Sequence, residues 1–230
     1  MFLYSYYWQY YIFMLPAILF VLIAQGLVSS RYKHFSAVIT NMRVTGREAA
    51  EQILRENGVT NVSVAPTNGK LTDNFNPSRN IIYLSEGVYN SSSIAAIGIA
   101  AHEAGHAVQH AQRYFPAKVR SAIVPVCNIG ANIGLPMCIL GFIFSFEPLV
   151  NVGLMLFALA TVFQLVTLPV EFNASRRALR YISSSDLYTR EEYKGAKKVL
   201  TAAALTYVAA LAQSLLQLLF YISRFSRRGD

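Results

Sequence analysis

The stretch from Ser121 to Val170 reads SAIVPVCNIGANIGLPMCILGFIFSFEPLVNVGLMLFALATVFQLVTLPV and decides the architecture of the chain. It contains a single charge, Glu147, which separates an apolar run of 26 residues from one of 23 residues. Each run is long enough for a helix that crosses the hydrocarbon core of a bilayer. Because the connection between them is so short, they are predicted to form an antiparallel transmembrane hairpin that returns the chain to the face it left. A kink is predicted in the first of these helices from Pro125, Gly130, Gly134 and Pro136.

Charge is segregated in the same way along the rest of the chain. Residues 1–30 and 199–223 also lack Lys, Arg, Asp and Glu, so all the charges and the four histidines lie outside these runs. Multi-span membrane proteins require this segregation, and soluble domains rarely show it. A hydrophobic content of 54% excludes intrinsic disorder. The two cysteines, Cys127 and Cys138, lie within one apolar run, which excludes a secreted disulfide scaffold.

The basic residues indicate the side of the membrane on which each polar segment lies. Ten Lys and Arg fall in residues 31–120 and seven in residues 176–198, whereas none is near Glu147. Positively charged segments stay on the cytoplasmic side during insertion, so both polar segments are predicted to be cytoplasmic. The net charge of +8 is spread over segments that flank the membrane, which favours contact with anionic lipid over nucleic-acid binding.

Five successive segments are predicted from these patterns. If the last helix crosses the bilayer, Arg224, Arg227 and Arg228 lie outside, against the positive-inside rule, so that helix is either a fourth span or an interfacial helix. The segments are an uncleaved N-terminal transmembrane anchor (1–30), a cytoplasmic α/β segment (31–118), the transmembrane hairpin (119–170), a cytoplasmic helical segment (171–198), and an apolar C-terminal helix with a basic tail (199–230).

Local patterns predict the elements of the α/β segment. A capping box begins a helix over residues 45–57. Residues 62–65 and 81–84 are predicted strands, with a turn at 66–69 between them. A helix is predicted over 91–112, where serines supply the N-cap, and its first half is apolar on nearly every side. It is therefore expected to be a buried core helix.

Within that helix stands the motif His102-Glu103-Ala104-Gly105-His106. The spacing of four residues places the two imidazoles one turn apart on one helical face, where their nitrogen atoms can bind the same divalent ion. Glu103 stands beside that ion and can accept a proton from the water that attacks a peptide carbonyl. Two hydrogen-bonded core histidines are the alternative, although burying His102, Glu103 and His106 in an apolar helix is costly unless something organises them.

A catalytic zinc site needs a third protein ligand, and the chain topology indicates Glu171. The histidine helix leads into the hairpin, which returns the chain to the same face, so Glu171 is predicted to lie beside the histidines. An interfacial carboxylate paired with Arg176 or Arg120 is the alternative. His110 is eight residues from His102, roughly 12 Å along the helix axis, and is therefore predicted to lie outside the ligand set of the ion.

Several motifs of this sequence resemble those of the YugP-type neutral zinc metallopeptidases of bacteria. They are LTD and IYLSE within 71–86, AAHEAGHAVQ over 100–109, LPVEFNASRRAL over 168–179, and KVLTAAALTYVAA over 198–210. The resemblance implies a membrane-bound gluzincin in which His102, His106 and Glu171 bind Zn²⁺ and Glu103 is the general base. It also implies a small zincin-like α/β catalytic domain fused to a mainly α-helical membrane domain with three to four spanning helices.

The sequence departs at two positions from the HtpX-type membrane proteases, which are also similar. Ser175 stands where those proteases have an aspartate that orients a zinc-binding histidine, and Asn173 stands where the family usually has aspartate. Both differences leave less negative charge beside the histidines. Asp186 or a backbone carbonyl is the candidate for the group that orients them instead.

The leading hypothesis is a multi-pass zinc metalloendopeptidase of the cell membrane that cleaves peptides or membrane proteins at the cytoplasmic face. Residues 73–75 are predicted to offer a strand edge to an extended substrate, with 81–84 behind them, although a plain loop at Asn76-Pro77 fits nearly as well. Two other functions stay open. One is a zinc-containing but non-proteolytic module that regulates or scaffolds membrane proteins, and the other is a transporter component that uses the same polar residues as a pathway. Oligomeric state and natural substrate are not predicted.

Overall fold

A computed structural model describes residues 2–226 of the chain. The predicted basic tail at Arg227 and Arg228 lies outside the described residues. In chain order, the elements are α1 (Phe2–Ser36), α2 (Gly46–Glu56), β1 (Ser63–Thr67), β2 (Asn74–Asn76), β3 (Ile81–Ser85), α3 (Glu86–Tyr89), α4 (Ile94–Ala111), α5 (Phe115–Ile143), α6 (Glu147–Ser184) and α7 (Arg190–Ser226).

The fold is mostly helical and carries a small mixed sheet. Three helices are long and apolar enough to cross a membrane, over Tyr10–Ser36, Glu147–Ser184 and Arg190–Ser223. Helix α5 is bent by 53° between Phe115–Pro125 and Cys127–Ile143, and it makes a fourth span if these two parts cross together. This bend confirms the predicted kink. A proline inside a helix causes such a kink because it removes one backbone donor and clashes with the preceding turn.

The chain forms two compact units. The first consists of the described residues of Met1–Gln25, Val119–Leu168 and Thr206–Asp230, and the second of Gly26–Lys118 and Pro169–Leu205. All the ligand and catalytic residues predicted from the sequence lie in the second unit. The assignment of the five predicted segments to membrane or cytoplasm stays a prediction.

In the first unit, α5 and α6 form the predicted antiparallel hairpin with their backbones in close contact. A Cβ atom at Gly134 would lie 2.9 Å from the Phe157 backbone nitrogen, and one at Gly141 would lie 2.8 Å from the Val150 backbone nitrogen. A later position of α5 thus contacts an earlier position of α6, so the two helices are antiparallel. Such spacing has no room for a larger residue, and small residues are the usual means of close helix packing in membranes.

In the second unit, α4 is the central helix. Ser93 caps its first turn by accepting a hydrogen bond from the Ala96 backbone nitrogen at 3.2 Å. The helix is buried on nearly every side, as predicted, and packs against α2, the sheet, α6 and α7. Its Ile97 and Val108 side chains share one hydrophobic core with residues of those elements, including Ile53, Ile82, Leu84, Ile182 and Leu200. The histidine motif is thus presented by a helix that the surrounding core holds in place.

The sheet differs from the one expected. The strand order is β1-β3-β2, with β1 parallel and β2 antiparallel to β3. The prediction of a turn over 66–69 is wrong for its first two residues, because β1 continues through Pro66 to Thr67. Since β1 and β3 are parallel, no hairpin joins them. Pro66 has no backbone N–H to donate, and it is tolerated because β1 is an edge strand. The chain returns through β2 before it adds β3 between the other two strands.

Two other local predictions have clear outcomes. The capping box of α2 is present, since Thr45 accepts from the Glu48 backbone nitrogen and Glu48 accepts from that of Thr45. Glu171 does not begin a new helical stretch, however, because α6 runs without interruption through Pro169 to Ser184. The loss of one backbone hydrogen bond at Pro169 does not outweigh the packing of the rest of the helix.

Candidate metal centre

The histidine pair occupies one face of α4, as the spacing predicts. The rings of His102 and His106 meet edge to face with centroids 4.7 Å apart, and their Nε2 atoms are 3.2 Å apart. Their side chains are 15% and 13% exposed, so both rings are largely withdrawn from solvent and retain a narrow opening. Two imidazole nitrogens converge on one point.

Glu171 reaches the same point from α6. Its Oε2 atom lies 3.2 Å from His102 Nε2 and 3.5 Å from His106 Nε2, and its side chain is only 3% exposed. One ligand atom from each of the three residues lies within 4.8 Å of the others, and these three residues form the metal-capable group found in the described part of the chain. The carboxylate is therefore placed against both histidines, as the topology argument expected.

A close contact between α4 and α6 brings the carboxylate to the histidines. A Cβ atom at Gly105 would lie 2.9 Å from the Ala174 carbonyl oxygen and 3.3 Å from its Cα atom. Only glycine permits the two backbones to approach this closely. Gly105 stands between the two histidines in sequence and Ala174 is three residues after Glu171, so this contact sets the distance across the site.

Side chains, rather than Asp186 or a backbone carbonyl, face the outer nitrogens of the two histidines. Ser175 Oγ lies 3.1 Å from His102 Nδ1, and Gln109 Oε1 lies 3.0 Å from His106 Nδ1. The expectation for these partners was therefore wrong. Ser175 is one turn beyond Glu171 on α6. A neutral hydroxyl therefore lies beside His102, at the position where the HtpX-type proteases are expected to have an aspartate.

A chain of donors and acceptors defines the proton on His106. The Arg177 guanidinium can only donate, and its Nε atom donates to Asn173 Oδ1 at 2.8 Å. The Gln109 amide nitrogen donates to the same oxygen at 2.9 Å and to the Val170 carbonyl at 2.8 Å, which turns its own oxygen toward His106. His106 Nδ1 therefore carries a proton, which leaves Nε2 as the ring nitrogen that would bind a metal ion.

Gln109 was missed by sequence reasoning as a functional residue. It is fully buried within an otherwise apolar helix. A buried amide needs hydrogen-bond partners, and its position one turn after His106 places it over that ring. That combination is the signal that could have identified it.

The other predicted residues of α4 take distinct positions. Glu103 is 9% exposed and follows His102 directly in the helix. His110 is exposed, and its ring lies 5.7 Å from that of Phe75, outside the metal-capable group, as predicted. Helix α4 is not among the candidate spans of the described chain. The transporter hypothesis needs His102, Glu103 and Glu171 within spanning helices, and of these three residues only Glu171 lies in a candidate span, Glu147–Ser184. That hypothesis stays a prediction.

The donor set fits zinc. Structural and catalytic zinc sites use histidine nitrogen and carboxylate oxygen at about 2.0–2.2 Å, and at tetrahedral angles such ligands stand about 3.3–3.6 Å apart. The three distances between Nε2 and Oε2 atoms here are 3.2, 3.2 and 3.5 Å. These ligand atoms contact one another directly, and a bound divalent cation would take the place of those contacts.

In the same unit, β2 packs against α4 and forms one edge of the sheet. Asp73, directly before β2, accepts hydrogen bonds from the Ser85 backbone nitrogen at 2.7 Å and from its hydroxyl at 3.0 Å. Burial raises the pKa of the Asp73 carboxyl, although these two hydrogen bonds oppose the effect. The strand predicted over 73–75 exists as Asn74–Asn76 and is not a plain loop.

Comparison with known proteins agrees with the motifs. Residues 10–226 match the model of the family described as "Putative neutral zinc metallopeptidase". The chain is 42% identical over 207 residues to the protein named "Putative membrane protease YugP" of Bacillus subtilis (strain 168), a match that covers 90% of this chain and 92% of that relative. No solved structure matches the chain.

Proposed function

This chain belongs to the family of neutral zinc metallopeptidases, and on that basis we propose that it is a membrane-bound, zinc-dependent endopeptidase. The observation that carries the proposal is the convergence of two imidazole nitrogens and one buried carboxylate oxygen beside the glutamate of an H-E-x-x-H motif. The α/β second unit would be the zincin-like catalytic domain, and the site would be of the gluzincin type.

His102, His106 and Glu171 would hold the zinc ion and leave one position open, as catalytic zinc sites do. Zinc, when bound, supplies a Lewis acid that activates water and polarises a peptide carbonyl. Glu103 would accept the proton of the attacking water and return it to the leaving amine nitrogen. Ser175 and Gln109 would hold the two imidazoles in place while this proton moves.

A substrate would bind in extended form along β2. This strand pairs with β3 on one side only, so its other edge has backbone groups free to pair with a peptide. Pairing through the backbone would align a peptide without selecting its side chains, which suits an endopeptidase that acts on peptides or membrane proteins.

The proposed enzyme is a multi-pass protein of the cell membrane with its site on the cytoplasmic side. The candidate spans and the concentration of Lys and Arg in residues 31–120 and 176–198 support this orientation. A single cysteine introduced at exposed Lys70, in a variant that lacks Cys127 and Cys138, tests it. Labelling by a membrane-impermeant thiol reagent only after the cells are opened is expected, and labelling of intact cells would contradict it.

Peptidase activity is tested with the purified full-length protein in detergent. Hydrolysis of fluorescent casein should stop with a zinc chelator, return when zinc is added, and fall by about 10²–10⁴-fold in Glu103→Gln. Glu86→Gln removes an exposed carboxylate elsewhere in the second unit and should leave hydrolysis unchanged. Hydrolysis that survives both the chelator and Glu103→Gln would refute the proposal.

A non-proteolytic zinc module is the second candidate. It is favoured by the neutral Ser175 hydroxyl on His102, because a neutral partner makes the imidazole less basic than a carboxylate would. This function predicts stoichiometric zinc binding that stabilises the fold, with no chelator-sensitive hydrolysis of casein or of membrane-protein substrates. Detectable hydrolysis that depends on Glu103 would exclude it.

A further inference from the structure

The second unit contains a pocket that the metal centre does not use. Its volume is about 330 Å³, and it is lined by Leu27 and Arg31 of α1 and by α7 residues that include Lys194, Lys197 and Lys198. Four cationic side chains thus line one small cavity. Thr201 and Ala202 complete its α7 wall.

The pocket lies where two apolar runs meet charged sequence. Arg31 is the first charge after the 30 uncharged residues at the start of the chain, and Lys198 is the last charge before the 25 uncharged residues 199–223. Both runs belong to candidate membrane spans. If these helices cross a bilayer, the cations of the pocket lie at the boundary between its hydrocarbon core and its headgroup region.

The pocket has an apolar end and a cationic end, and both follow the polarity of the two helices that line it. Leu27 precedes Arg31 by one helical turn toward the apolar run of α1, and Ala202 follows Lys198 by one turn toward that of α7. The apolar wall is thus on the hydrocarbon side of each helix and the cationic wall on the polar side. A ligand with a phosphate group joined to an acyl chain matches both walls, whereas a free phosphate matches only one.

The cations are available to an external anion. Lys194 is 3.9 Å from Glu191, and both side chains are more than half exposed, so that pair is weak. Among the residues that the structure describes, Arg31, Lys197 and Lys198 have no ion pair of this kind. Four cations around one cavity attract a phosphate that brings its own negative charge.

We propose that this pocket binds one anionic glycerophospholipid, with the phosphate between Arg31 and the lysines of α7 and the glycerol and acyl region against Leu27 and Ala202. The site is separate from the metal centre, so this proposal stands or falls independently of peptidase activity. Its function would be to hold α1 and α7 together at the headgroup level by a bound lipid.

Native mass spectrometry of the full-length protein in detergent tests the proposal, with phosphatidylglycerol and phosphatidylcholine as the probes. The wild type should retain phosphatidylglycerol in preference to phosphatidylcholine. Removing two pocket cations in Arg31→Ala/Lys198→Ala should lower the affinity for phosphatidylglycerol about 30-fold, because each cation near a headgroup contributes roughly 1 kcal/mol. The matched control Arg55→Ala/Lys70→Ala removes the same charge from exposed positions outside the pocket and should change it less than about twofold.

A second variant separates a seated lipid from general surface charge. Thr201→Trp fills the pocket from an exposed position and keeps all four cations, and it should abolish the preference for phosphatidylglycerol. Unchanged thermal midpoints would show that the variants fold. Equal retention of both lipids by the wild type, an equal loss in the control, an unchanged preference in Thr201→Trp, or displacement of phosphatidylglycerol by millimolar inorganic phosphate would each overturn the proposal.

Discussion

Replacing Gln109 by methionine isolates the contribution of a residue that contacts the proposed ligand His106 but is not itself a proposed zinc ligand. Methionine conserves the volume of this fully buried side chain but removes its hydrogen bonds to His106, Asn173 and the Val170 carbonyl. The Nδ1–H group of His106 then loses its acceptor, and the ring can rotate or change tautomer. Removal of such a partner typically weakens metal binding 10- to 100-fold, which corresponds to about 1.4–2.7 kcal/mol.

The assay is an equilibrium zinc titration of the detergent-solubilised full-length protein against a fluorescent chelator at constant pH. Gln52→Met is the matched control, because Gln52 donates to Glu56 Oε1 at 3.1 Å and takes no part in the chain of hydrogen bonds that orients His106. The control should bind zinc like the wild type. A Kd for Gln109→Met within about twofold of the wild type, or an equal loss in the control, would refute the proposed role of Gln109. Thermal melts without zinc establish that both variants fold.

Three further predictions concern neighbouring positions. Ser175→Ala should weaken zinc binding about tenfold in the same titration, since the hydroxyl 3.1 Å from the Nδ1 atom of the first histidine no longer holds that ring, and an unchanged Kd would contradict it. Gly105→Ala places a methyl group 2.9 Å from a backbone oxygen of α6 and should lower the free energy of unfolding by about 1–3 kcal/mol in thermal melts. Gly98→Ala on the same helix meets its nearest atom at 3.6 Å and should cause no such loss, so equal effects of the two changes would be inconsistent with the proposed close contact. Burial raises the pKa of Asp73 against the hydrogen bonds from Ser85, so the folded state keeps a proton that the unfolded chain has lost. The stability that protonated Asp73 contributes is complete below the pKa of its carboxyl in the unfolded chain. It is lost as the pH rises through the pKa of that carboxyl in the folded protein. The thermal midpoint of Asp73→Asn should therefore fall less than that of the wild type as the pH rises above the unfolded pKa of aspartate, about 3.9, and parallel curves would exclude this effect.

The elements that could be predicted from the sequence are those set by local patterns. The capping box before α2, the Ser93 cap of α4 and the bend of α5 at proline each depend on residues close together in the chain. The spacing of His102 and His106 defines their shared face before any tertiary contact exists. Glu171 could be placed because the hairpin is a strong topological constraint, even though its helix runs on from the hairpin without a break.

The elements that could not be predicted depend on which segments pack together. The parallel pairing of β1 with β3 places residues 18 positions apart side by side, and the apolar pattern of a strand does not specify its partner. Asp186 was a reasonable candidate by charge, but Ser175 faces His102 because it is one turn beyond Glu171 on the same helix. The role of Gln109 required the positions of Val170 and Asn173, which are more than 60 residues away in sequence.

By itself, the sequence determined that this chain carries helices long and apolar enough to cross a bilayer, that it has two zinc-competent imidazoles on one helical face, and that an acidic residue follows the hairpin. Those properties depend on composition and on helical periodicity, which act over a few residues. Only the tertiary structure decided how α4 and α6 approach at Gly105, and therefore the distances between ligand atoms and the identity of the groups that orient each ring. Those properties depend on contacts between residues far apart in the chain, where packing of the whole core, rather than any local preference, selects the arrangement.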